Sequence, residues 1–179
     1  MKPKIKTETV LTILKILAWI AFFGFAIQTT MYIISYIISF INPKGTWFAF
    51  DNLNLYGLKE QNFLKYTLTV VLLVVLTALK ANIWYQATRI IQNIKIQSPF
   101  TMEITRRLEK ISYFLLYIWI LGYIGSTFSF WLTNQNEIAK SLHEGLSSKE
   151  FLFMAGLLFI VSQIFKRGVE LQSENDLTV

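Results

Sequence analysis

Lys80 is the residue whose setting most invites chemistry, because it interrupts a stretch that is otherwise apolar from Leu68 onward. A charge inside a membrane run is costly, and its default reading is functional. Thr77 lies three positions earlier on the same helical face, so a hydroxyl nucleophile beside a lysine base can be drawn. A lysine base needs burial that keeps its amine deprotonated. Trp84 and Tyr85, one turn further on, belong to the aromatic belt at a bilayer surface. The expectation is therefore that Lys80 snorkels to that surface. Gln28 supplies a second polar group, near the middle of the first apolar run, where a hydrogen bond to another helix is expected. Gln28, Thr77 and Lys80 together form the candidate intramembrane polar site.

Other constellations are incomplete. His143, the only histidine, precedes Glu144 and Gly145 but lacks the second histidine of a zinc-binding helix. Glu137, Glu144 and Glu150 read as a solvated loop rather than a cation site. There are no cysteines, which excludes disulfides, thiol catalysis and thiolate metal sites. Neither a Gly-rich phosphate loop nor a Gly-x-Ser-x-Gly elbow occurs. No catalytic residue, metal or cofactor is expected, and the chain reads as a non-enzyme.

The elements that position these residues are membrane spans. A chain of 179 residues with 54% hydrophobic and 16% charged residues is too apolar for an ordinary soluble domain. Four apolar runs, about 14–41, 63–88, 109–132 and 149–167, approach or exceed the roughly 20 residues that cross a bilayer. Continuous rather than alternating hydrophobicity excludes a barrel. The first run continues through Ile41, well past the signal-peptide-like Gly24-Phe25-Ala26, so it is expected to remain as a span. Asn42-Pro43 ends it. Residues 46–62, with Trp47, Phe48, Phe50 and Tyr56, read as an interfacial loop. Gly122 with Ser126, and Gly125 with Ser129, put small residues four apart, a spacing that lets helices approach closely. Ser147 and Glu150 fit a capping box.

Between the second and third runs lies the one long polar segment, the link 89–110. Ser98 is expected to cap the third helix, with Pro99 at its first position. An acidic tail, 168–179, closes the chain. With both termini and the link on one side, that side carries twelve of the 17 Lys and Arg residues, Lys80 included. Cytoplasmic segments carry such an excess, so both termini are expected to be cytoplasmic. The predicted fold is an all-α integral membrane protein, an antiparallel four-helix transmembrane bundle forming one membrane domain over 1–179. The net charge of +6 is accounted for by that cytoplasmic face, and no direct nucleic-acid binding is expected.

Ser98-Pro99-Phe100, Glu103, Arg107-Leu108, the run Gly168-Val169-Glu170-Leu171-Gln172 and the finish Glu174-Asn175-Asp176-Leu177-Thr178-Val179 resemble a bacterial membrane family. It is the domain of unknown function two-nine-seven-five. The resemblance implies a four-span protein of the bacterial inner membrane without established activity. Such proteins are often encoded beside a small helix-turn-helix transcriptional regulator, which implies a cytoplasmic partner. Arg106, Arg107, Glu170, Glu174, Asp176, Leu177 and Val179 are the candidate partner-binding residues. The other expected partners are the lipid bilayer and further copies of the chain. The competing reading is a small transporter, channel or immunity-type factor acting through the bundle interior. Neither acidic residues in the apolar cores nor broken-helix repeats, the usual transporter signs, are present.

Overall fold

Once in hydrocarbon, a long apolar run must satisfy its own peptide groups, and a helix does so locally. The computed structural model of the chain describes residues 7–41, 55–94, 100–132 and 149–176. Among these it shows five helices and no strand: α1 (Thr7–Ile41), α2 (Leu55–Gln61), α3 (Phe63–Asn93), α4 (Met102–Leu132) and α5 (Glu150–Asp176). All but α2 are long and apolar enough to cross a membrane, which makes this a multi-pass membrane protein.

The helix ends differ from the sequence expectation in places with identifiable causes. Asn62 separates α2 from α3 and serves both. Its N–H donates to the Leu58 carbonyl at 2.9 Å, and its Oδ1 accepts from the Lys65 N–H at 3.1 Å. That second bond is an N-cap, so part of the expected interfacial loop is helix. Trp47, Phe48 and Phe50 lie outside the described residues. At the other end of α3, Ile94 is extended and its N–H donates to the Ile90 carbonyl at 3.0 Å. For α4 the cap is Thr101, whose Oγ1 accepts from the Ile104 N–H at 3.3 Å. Helix α4 thus begins at Met102, three residues beyond Pro99. Ser98, Pro99, His143 and Ser147 lie outside the described residues.

Helix α5 runs through most of the stretch that reads as a tail. After Gly168 no glycine or proline interrupts it, and Glu170, Leu171 and Gln172 are good helix formers. Arg167 Nη1 pairs with Glu170 Oε2 at 2.9 Å, one turn along the same face.

Packing links the long helices in a row. Helix α1 packs on α3, α3 on α4 and α4 on α5, while α2 packs on α3. Between α1 and α3 the contacts join Phe40 to Phe63, Tyr36 to Tyr66 and Thr67, and Phe22 to Tyr85. Between α3 and α4 they join Asn93 to Glu103 and Gln86 to Arg107. Between α4 and α5 they join Glu109 to Gln163 and Tyr113 to Phe159. Among the described residues α1 approaches neither α4 nor α5 closely. Among the described residues the expected bundle is thus an open row.

Two cores hold the row together. At the α2 end, Leu55, Leu58, Tyr66, Val70 and Tyr32 are buried, with Tyr36, Leu73 and Val74 packed around them. Lys59 of α2 donates to the Ser39 carbonyl of α1, and its ammonium lies 5.5 Å from the Phe40 ring centroid. The second core joins Ile83 and Ile90 of α3 to Ile111 and Leu115 of α4, and to Phe151, Ala155 and Leu158 of α5. Gly122, Gly125 and Ser126 are also buried, as the small-residue spacing anticipates. The outer helices are mostly unpartnered: the apolar window of α4 is 39% buried and that of α1 only 6%. In lipid such exposure costs nothing, because hydrocarbon replaces the missing neighbour.

Leu58 is 1% exposed and ties α2 to both α1 and α3. Leu58→Ala is expected to cost about 2–5 kcal/mol of stability. Thermal unfolding in detergent, compared with the exposed control Leu64→Ala, checks this.

Candidate functional site

The link end is built around one carboxylate. Glu103 sits in the first turn of α4, where a negative charge suits the helix dipole. Its Oε1 accepts from Asn93 Nδ2 at 2.7 Å, from Arg107 Nη2 at 2.8 Å and from Arg107 Nε at 3.1 Å. The remaining guanidinium nitrogen, Nη1, donates to Gln86 Oε1 at 2.7 Å. Arg107 therefore braces Glu103 within α4 and reaches α3 through Gln86. The Glu103–Arg107 pair is half exposed and contributes little by itself. The bond to buried Gln86 matters more, because that amide has lost its water.

Arg106 and Lys110 are different. Both are exposed, four residues apart, and neither has a hydrogen-bond or ion-pair partner among the described residues. With Glu103 and Arg107 they line a concavity of about 240 Å³. The Phe100 ring lies tilted against Phe165, 5.1 Å between centroids, and covers Gly168. A Cβ at position 168 would come within 2.7 Å of the Phe100 ring, so glycine lets the link lie against α5. Gln163 Nε2 adds a bond to Glu109 Oε1 at 3.1 Å.

Of the candidate partner-binding residues, Arg106 faces outward and Arg107 is turned inward. Glu170 is bound to Arg167 on its own helix. Leu171, beyond it, is 47% exposed. Glu174 lies on the same helical extension, as does the backbone of Asp176. Leu177 and Val179 lie outside the described residues. No ion pair joins tail to link among the described residues. The tail instead meets the link through Phe100, Phe165 and Gly168.

The intramembrane trio does not converge. The Thr77 hydroxyl donates to the carbonyls of Leu73 and Val74, at 2.9 and 3.1 Å. Gln28 Nε2 donates to the Tyr32 hydroxyl at 2.9 Å within α1, in place of the expected bond to another helix. Lys80 Nζ lies 5.9 Å from the ring centroids of both Phe25 on α1 and Phe151 on α5. That position runs against snorkelling toward Trp84 and Tyr85. Helix side chains lean toward the helix N-terminus, which for Lys80 is away from the link.

Sequence reasoning missed Gln86, Asn93, Gln163, Phe25 and Phe151. The Glu103–Arg107 spacing is a legible helical pair, whereas the others are partners across helices and leave no local signal. A family model described as "Protein of unknown function (DUF2975)" matches residues 56–179. Comparison with curated proteins and with solved structures gives no match.

Arg107→Ala leaves the buried Gln86 carbonyl without its donor and is expected to cost about 1–3 kcal/mol. Combining Arg107→Met with Gln86→Leu should recover most of it, because both polar ends are then gone. Gly168→Ala should lower the unfolding midpoint, and Phe100→Ala in the same chain should remove most of that added loss. Thermal unfolding of the single and double variants measures both.

Proposed function

The chain belongs to the DUF2975 family of proteins of unknown function, and from that premise we propose a non-enzymatic membrane protein that docks a cytoplasmic regulator at its link end. The orientation proposed is both termini and the link in the cytoplasm of a bacterial inner membrane, supported by the Lys and Arg excess there. An antiparallel run of neighbouring long helices is supported by the order of contacts. Rising numbers on one helix meet falling numbers on the next, as with Phe22–Tyr85 and Phe40–Phe63.

One observation carries the docking proposal: Arg106 and Lys110 line a concavity with no partner among the described residues, while their neighbour Arg107 is consumed internally. Free cations at a concavity suit acidic side chains of a partner. The helical extension of α5 adds Leu171, Glu170 and Glu174 on a projecting element, a shape suited to a groove. The partner class we favour is a helix-turn-helix transcriptional regulator, held at the membrane and released when the helix row changes state. Such release requires two states that differ in affinity for the partner. The second reading, a small transporter or channel, draws on Lys80 between α1 and α5.

The test is a cross-linked pull-down from native membranes in mild detergent, read by mass spectrometry. Full-length protein should recover a soluble DNA-binding regulator that a chain ending at Arg167 does not recover. Arg106→Glu should weaken capture by roughly tenfold. Lys80→Met should leave capture intact. Recovery of lipids and copies of the chain alone overturns the proposal.

A further inference from the structure

Lys80 and its two rings occupy a place unrelated to the link-end surface. Helices α1 and α5 lie on separate neighbours and do not approach each other among the described residues. Between them, Phe25 of α1 and Phe151 of α5 each place a ring centroid 5.9 Å from Lys80 Nζ. Lys80 is thirteen residues before the end of α3 at Asn93, or about 20 Å along the helix axis. Among the described residues it has no carboxylate or hydrogen-bond partner. Glu150, next to Phe151, is exposed and forms no ion pair.

An amine there faces a shortage that no described residue covers. Two ring faces offset part of the cost of a cation. They provide no full acceptor for the three N–H donors of an ammonium, so the site holds that form only with an anion beside it and offers an arriving acid the lone pair of a neutral amine. We infer that Lys80, Phe25 and Phe151 form a lateral binding site for a lipophilic carboxylic acid, an amphiphile with one carboxyl head and an apolar tail. A carboxylic acid crosses hydrocarbon as a neutral molecule and brings its own proton. On arrival the acid O–H bond breaks and the amine takes the proton. The ammonium and carboxylate then pair with no net charge added to the lipid. A permanently charged sulfate or phosphate would have to carry its charge into the membrane, which is far more costly. The tail of the acid would lie along the apolar surfaces that α1 and α5 leave exposed, which include Phe23, Ile27 and Phe153.

The site can be tested without any partner protein, so its failure and that of the docking proposal are separable. Purified full-length protein in zwitterionic phosphatidylcholine nanodiscs would be titrated with cis-parinaric acid, a fluorescent fatty acid. Saturable binding is expected, displaced by oleic acid and not by methyl oleate. Lys80→Met should weaken binding by about tenfold or more. Far-ultraviolet circular dichroism and gel filtration establish that the variant is folded. Equal displacement by the methyl ester overturns the inference, as does unchanged binding in folded Lys80→Met. A diazirine-bearing fatty acid gives a second readout in the wild-type chain. Labelling concentrated near Phe25 and Phe151 supports the site. Labelling spread over all exposed helix faces, or cross-linking of Lys80 to a carboxylate on another membrane helix in its place, overturns it.

Discussion

Hydrocarbon offers no hydrogen bonds, and that constraint governs every polar group in this protein. Peptide groups are satisfied by helix formation. Side-chain hydroxyls follow the same logic. Thr29, Thr30, Thr69, Thr77, Thr88, Ser112, Ser126 and Ser162 each donate to a carbonyl three or four residues earlier in their own helix. A helix that satisfies its own hydroxyls has few left to share with its neighbours. Among the described residues, polar bonds between helices include Tyr36 with Thr67, Lys59 with Ser39, Asn93 with Glu103, Arg107 with Gln86 and Gln163 with Glu109. On α3 and α4 they lie toward the helix ends.

That division has consequences for the fold. The α2 core and the α3–α4–α5 core are separate clusters, and nothing apolar drives α1 against α5 when lipid is an equal neighbour for both. The row stays open as a result. Lys80 of α3, half-buried, stands where the first and last long helices each bring a ring to within 5.9 Å of its ammonium nitrogen. The free cations at the link end arise in a different way. Glu103 accepts three donors on one oxygen, which consumes Arg107 and leaves Arg106 and Lys110 facing outward.

Some of this is legible in the residues themselves. The four long helices follow from run length and hydropathy, because a span is a local property of about 20 residues. The Glu103–Arg107 pair follows from a four-residue spacing. The small residues of α4 announce a close approach without saying to what. Other features escape. Asn62 looks like any loop residue until its position between two helices makes it both a terminator and a cap. Gly168 gives no sign in the sequence that it admits the Phe100 ring. The stretch after it reads as a solvated tail, yet its composition favours continuation of the helix to Asp176.

By itself the sequence determined that this is an all-helical, multi-pass membrane protein, because hydrophobic length and backbone satisfaction depend on neighbours along the chain. Tertiary structure decided which helices touch, that the row does not close, that Arg107 turns inward while Arg106 does not, and that Lys80 stands between Phe25 and Phe151. These outcomes depend on residues distant in the chain whose registers are set only when helices pack. In lipid no hydrophobic force ranks one packing above another, so side-chain shape and a few terminal hydrogen bonds make the choice.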